Sequence, residues 1–324
     1  MISPGRACNP RCGEGRTVAV VPALTLALSM APLVGAAADV TPDGPPAAPV
    51  TAEHRYRLSA AIRPLFFWIG AGNVGGARIT WRQDGGLRRG YELLLGSDPA
   101  RAPRHVNRWG WVREDADATG ARMTGLMNRS EDDSLDQAKA GLQSKGSYLF
   151  KLNRARVEDG TAHAEATTLY ASEDYTFRQL ADLLHFAEST KPAPRVRTGR
   201  LPPGTRPGLL FALADLVEAG VAASRAQGRV GPSPSKVQYT FNAGVYDLAV
   251  TSWQRVLKAR FGSSTYEKIV RLEFESRNLE KGTTEHFVLA CGTEGPLAGV
   301  PVFVRYQPKW WFKVEGVLDE HETL

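Results

Sequence analysis

The stretch that most limits what this chain can fold into is 300–318, VPVFVRYQPKWWFKVEGVL. Val302, Val304 and Tyr306 alternate with Phe303 and Arg305. After Gln307-Pro308-Lys309, Trp310, Phe312 and Val314 alternate with Trp311, Lys313 and Glu315. Alternation of period two sends successive side chains to opposite faces of a sheet. The stretch therefore predicts a closing β-hairpin with its turn at 307–309. Two adjacent tryptophans, pointing opposite ways, predict a sheet at least partly covered on both faces.

The same pattern recurs upstream. Strand patterning begins near Arg55 with Tyr56-Arg57-Leu58-Ser59. Ala77, Ile79 and Trp81 alternate before the turn residues Asp84-Gly85-Gly86, and Tyr91–Leu95 returns, a hairpin signature. Val106–Val112 reads as a strand with Trp109 and Trp111 on one face. Tyr148–Val157 and Thr161–Leu169 flank Glu158-Asp159-Gly160 as a further hairpin. Tyr239, Phe241 and Ala243 hold one phase and Tyr246, Leu248 and Val250 the other, which predicts a bulge at Gly244. Val270, Leu272 and Phe274 alternate with charged residues, Asn278–Gly282 turns, and His286–Ala290 returns.

Helical spacing interrupts this pattern three times. Ser130–Ser144 opens on a capping serine and three acids, with Leu135, Ala138 and Leu142 in register. Asp174 is placed to cap a helix carrying Phe177, Leu180, Ala181 and Leu184. Leu209–Ala226 repeats Leu210, Leu213, Ala214 and Val217. Residues 190–207 hold five prolines and five basic residues, a composition that predicts a loop or linker without regular structure. Gly228–Ser235 is a second break. The order of strands, helices and strands predicts an α+β fold, mainly antiparallel β, as a curved sheet or half-barrel with about three helices packed on one face or end. The β-rich region runs over 54–319, with 190–207 as the place where it would divide, and 320–324 is a tail.

Residues 1–38 are read as a signal peptide. Arg6, Arg11 and Arg16 lead into the apolar run Val18–Val34, and Ala36-Ala37-Ala38 fits the cleavage pattern. Pro22 and Pro32 argue against the alternative of a retained anchor. Residues 39–53, with four prolines, read as a flexible lead. Cleavage after Ala38 would leave a net charge of +4, too mild to argue for nucleic acid, and no other segment approaches a membrane-spanning length. Cys8 and Cys12 leave with the signal. Cys291, in Phe287-Val288-Leu289-Ala290-Cys291, then has no partner in the chain and reads as a small buried hydrophobe.

Motifs for chemistry are sparse. Gly70-Ala71-Gly72-Asn73-Val74-Gly75 satisfies GxGxxG, but a dinucleotide site needs its third glycine to open a helix. Here a β pattern follows, so the motif reads as a glycine loop between strands, or as a nest for an anionic group. The six histidines show no ligand-pair spacing, so no metal and no cofactor are expected. His286 and Cys291 fall on opposite faces of one strand, which excludes a dyad, and there is no GxSxG elbow. Arg104 and Arg108 precede Trp109 and Trp111, a grouping that can hold anionic sugars or phosphates through cation–π and bidentate contacts. With Trp311 they form the candidate ligand-binding set, and the catalytic set is empty. A transmembrane barrel is disfavoured by the helical middle and by the terminal Asp319-Glu320-His321-Glu322-Thr323-Leu324.

The segments Tyr56–Trp81 and Gly299-Val300-Pro301-Val302 resemble a broad class of uncharacterised exported Gram-negative envelope proteins built on a curved antiparallel sheet. The resemblance covers about a fifth of the chain, on loose motifs. It implies an envelope β-scaffold holding an apolar or amphipathic ligand in its concave face, and it transfers no catalytic residue. The expectation is therefore an exported, periplasmic or envelope-associated protein that binds lipid- or glycan-like ligands without catalysis. A hydrolase with a site assembled from distant residues, or a structural assembly factor, stands as the alternative.

Overall fold

A computed structural model describes residues 48–63, 67–85, 88–128, 148–190, 193–226 and 236–319. The expected signal peptide, the helix at 130–144, the break at 228–235 and the tail lie outside these residues. The strands are β1 (Val50–Ile62), β2 (Ile69–Asp84), β3 (Arg88–Ser97), β4 (Trp109–Asp117), β5 (Gly120–Asn128), β6 (Tyr148–Glu158), β7 (Thr161–Ala171), β8 (Arg195–Arg200), β9 (Val237–Phe241), β10 (Gly244–Phe261), β11 (Ser264–Asn278), β12 (Thr284–Gly292), β13 (Pro301–Lys309) and β14 (Phe312–Asp319). Two helices, α1 (Leu180–Ser189) and α2 (Leu209–Arg225), are found among the described residues. The antiparallel, β-rich class is as the alternation predicts.

All fourteen strands form one sheet, in the order β8-β7-β6-β5-β4-β3-β2-β1-β14-β13-β12-β11-β10-β9. The first and last strands pair in its middle, from Arg55 opposite Asp319 to Ile62 opposite Phe312. The chain thus runs outward from β1 to one edge, crosses to the other edge through α2, and returns to β14. That crossing forces curvature. In a flat sheet β8 and β9 would stand about 60 Å apart. Yet Arg200 ends β8 and Arg206 already pairs with β9, a span of at most about 20 Å. The Arg206 amide donates to Gln238 O (2.7 Å), and the Thr240 amide donates to Arg206 O (3.0 Å).

Beyond this bridge at Arg206, β8 and β9 are not paired as neighbours, and the edges meet by packing. Ala162 and Ala164 of β7 cluster with Leu201 and with Ala243 from the β9–β10 turn. A side chain at Gly199 would meet Ala243 O at 2.6 Å, and Arg197 bridges to Glu280.

Strand alternation separates an inner from an outer face. On β4, Val112 and Glu114 face inward, where α2 lies, while Trp109 and Trp111 face outward. There Trp109 and Trp111 join Leu94, Leu126, Phe150, Leu169 and the α1 residues Leu180, Leu183 and Ala187 in one core. The two helices therefore cover opposite faces, not the single face or end expected. Inside, Ala212, Leu216 and Val217 of α2 pack on Leu248, Leu272, Phe274 and Leu289. The close seat requires Gly220, whose Cβ would lie 2.8 Å from Leu272 Cδ2.

Several local expectations are corrected. Strand β1 starts at Val50, within the stretch read as a flexible lead. Glycines 70–75 lie inside β2 rather than in a loop. Leu58 opposes Gly75 while Ala60 opposes Ala71, so the extra residues form a bulge, with Asn73 at φ 53°. A Cβ on Gly75 would sit 2.0 Å from Gly96 O, so Gly75 serves close strand packing, whereas a Cβ on Gly72 would meet nothing within 4 Å. Gly244 is no bulge: Asn242 and Ala243, at φ 51° and 58°, form a two-residue hairpin turn of the primed kind.

In the closing hairpin Pro308 is accommodated within β13 at a register shift between Tyr306 and Lys309, and the turn falls at Trp310-Trp311. Residues 190–207 contain β8, whose RVRTGR core has no proline and pairs with β7 as an edge strand. A capping box of Thr176 and Gln179 opens the 3-10 turn Phe177–Gln179 that leads into α1. Asp174 instead accepts a hydrogen bond from Asn107 Nδ2 (2.9 Å).

Candidate functional site: the interior of the curled sheet

The burial pattern of β3 points to the site. Leu94 and Glu92, on its outer face, are buried. Tyr91, Leu93 and Leu95, on its inner face, are only half-buried. An apolar inner face that its own fold leaves partly uncovered is an unfilled interior. It borders a cavity of about 790 Å³ between the sheet and α2, within the usual size range of small-molecule sites. Leu58, Ile79, Trp81, Leu93, Phe287 and Val304 line the sheet side. The other wall is a second stripe of α2, Leu210, Leu213, Ala214, Val217 and Val221. Leu213 and Ala214 are half-buried, whereas Ala212 and Leu216, which face the sheet, are buried. Helix α2 thus buries Ala212, Leu216, Val217 and Val221 in the core and leaves Leu210, Leu213 and Ala214 half-buried at the cavity, with Leu213 touching the edge of that core.

A few polar groups interrupt this wall. Glu114 is buried, and its Oε2 accepts hydrogen bonds from the Leu210 amide (2.9 Å) and the Phe211 amide (3.2 Å). It thereby caps α2, whose N-terminus attracts negative charge. Gly208 is required here, because a Cβ would lie 2.1 Å from Glu114 Cδ. Burial pushes the Glu114 carboxyl up to about 7, while the α2 amides hold it back. Tyr306 Oη donates to Glu285 Oε2 (2.9 Å), and burial together with that carboxylate raises the phenol. Tyr56 Oη and Asn153 Oδ1, both buried in residues bordering the cavity, find no hydrogen-bond partner among the described residues. Neither atom has accessible surface, so neither opens on the cavity itself.

The sequence-predicted set is not brought together. Arg104 belongs to a single 3-10 turn, Pro103–His105. Arg108 follows it, and its amide donates to Ser97 Oγ (2.8 Å). Trp109 is a core residue whose indole N–H donates to Tyr175 O (2.8 Å). Trp111 packs in the same core, though it also touches the cavity border. Trp311 sits in the β13–β14 turn, separated from β4 in the sheet by β1, β2, β3 and β14. Ser97, Asp98 and Pro99 form a turn: Asp98 Oδ1 accepts from the Ala100 amide (3.0 Å) and Asp98 pairs with Arg178 (3.1 Å).

Sequence reasoning missed Glu114, and it read the α2 face Leu210, Leu213, Ala214 and Val217 as a helix stripe without its place at the cavity. The adjacent run Leu93-Leu94-Leu95 carried the one available signal, a strand apolar on both faces. Among the described residues no cluster of three or more His, Cys, Asp or Glu side chains converges, and no helix is long and apolar enough to cross a membrane. Cys291 is fully buried, and burial pushes its thiol up to about 12, the state of an inert core residue. No family model matches the chain, and no curated protein or solved structure matches it.

Proposed function

We propose that this protein is an exported envelope carrier that holds a lipid-like, amphipathic molecule between its curled sheet and α2. The observation that carries the reading is the half-buried apolar wall: Leu93 and Leu95 of β3 and Leu210 and Leu213 of α2 line one cavity of about 790 Å³. A water-filled space with such walls gains free energy on taking up hydrocarbon, about 25 cal/mol per Å² of apolar surface covered. The mainly aliphatic wall favours an acyl or isoprenoid chain over a glycan, whose hydroxyls would find few partners.

Glu114, a buried carboxyl with a raised pKa, would be the starting point for a hydrolase. Its Oε2 is engaged by two α2 amides, which is the geometry of a helix cap. Export rests on the basic-apolar-small pattern of residues 1–38.

The reading is tested with an apolar fluorophore such as N-phenyl-1-naphthylamine, displaced by long-chain fatty acid. The protein should bind the probe, and Leu93→Trp, which fills the cavity, should weaken binding at least about tenfold. Probe binding that survives Leu93→Trp unchanged, or no binding by the folded protein, would sink the proposal.

A further inference from the structure

The Trp310-Trp311 turn, which the cavity reading does not use, meets a second loop. The Arg63 amide, at the start of the β1–β2 connection, donates to Trp311 O (2.7 Å). On the far side of that connection Phe67 is 61% exposed and Ile69 51%, and Trp310 is 65% exposed. Three of the eight large exposed hydrophobics among the described residues therefore gather on two adjoining loop tips, which separates them from apolar residues scattered singly over a surface. Beside them the Lys313 ammonium lies 5.0 Å from the centre of the Trp68 ring.

The charge here is one-sided. Among the described side chains Arg63, Arg305 and Lys313 stand here against Glu315. Glu315 accepts from both Arg305 (2.7 Å) and Lys313 (3.0 Å), so one carboxylate answers two cations and the tip keeps a positive surplus. The tip also adjoins the cavity. Tyr306 and Val314, directly opposed on β13 and β14, border it, and the same hairpin turns at Trp310.

We infer that these two loop tips dock the protein on an anionic phospholipid surface. Trp310, Phe67 and Ile69 enter the interface and the basic residues meet the headgroups. Tryptophan is enriched at that depth because its ring is apolar and its N–H finds a polar partner. Clustered Lys and Arg add attraction to anionic lipid. A second copy of the chain is the poorer occupant, since a self-complementary contact would set two positive tips against each other. The inference deepens the carrier reading, because it places the cavity beside the bilayer from which an amphipathic molecule would come. It does not require the cavity to be loaded.

The test is flotation of the purified chain with vesicles of phosphatidylcholine alone, and of phosphatidylcholine and phosphatidylglycerol in equal parts. The protein should float with the anionic vesicles and release in high salt. The double variant Phe67→Ser, Trp310→Ser should lose binding at least about tenfold while keeping its melting temperature and its uptake of N-phenyl-1-naphthylamine. Trp310→Phe should restore most of the binding of a Trp310→Ser single variant. No flotation of the wild type, equal flotation of the double variant, or a dimer in sedimentation that the double variant dissolves would each overturn the inference. Because flotation is read without the probe, its failure and that of the cavity reading are distinguishable.

Discussion

Glu114 shows how one residue joins two elements distant in sequence. It sits on the inner face of β4 and holds the start of α2 through the Leu210 and Phe211 amides. The sequence around it, Trp111-Val112-Arg113-Glu114-Asp115, gives no sign of this role. An acid in a strand reads as solvent-facing until the alternation of that strand is assigned a face.

The capping role has a pH signature. With an ordinary carboxyl near 4.5 and the folded value about 7, the folded state holds a proton between those values that the unfolded chain has released. The contribution of Glu114 is then full below about pH 4.5 and is lost as pH rises through about 7, by roughly 3 kcal/mol in all. Thermal melts should show a higher Tm at pH 5 than at pH 8, and Glu114→Gln should flatten that difference. A Glu114→Gln protein with the full wild-type pH dependence would remove Glu114 as its source.

At the level of elements, α2 carries the argument. Its helical spacing was legible in Leu210, Leu213, Ala214 and Val217, and its expected extent, Leu209–Ala226, differs from the observed helix by one residue. What periodicity could not give is which apolar stripe is packed. Leu213 and Leu216 are equally apolar in sequence, yet Leu216 is buried on the sheet and Leu213 stays half-buried over the cavity. Leu216→Ala should cost about 2–5 kcal/mol in denaturant unfolding, as for a packed core leucine. Leu213→Ala should cost below about 1 kcal/mol and appear instead in probe binding. Equal destabilisation by the two would mean that no free wall exists. Strand β8 marks the opposite failure of sequence reading. Proline density around 190–207 hid a six-residue edge strand, because prolines flank RVRTGR without interrupting it.

Over the whole molecule, the strands and the antiparallel class could be read from alternation, because a strand writes its two faces into consecutive residues. The closure could not. It depends on the β1–β14 pairing and on the short passage from Arg200 to Arg206, contacts between residues far apart in the chain. The curled sheet is what turns the half-buried inner faces of β2, β3 and β13 into one cavity, and on that cavity the functional account stands. Native mass spectrometry of the protein purified from an envelope fraction tests it most directly. The account predicts a mass excess that disappears on denaturation, is extracted as an apolar or amphipathic molecule, and is absent from Leu93→Trp. A wild-type protein carrying no excess and taking none from added lipid, or an excess that Leu93→Trp retains in full, would contradict it.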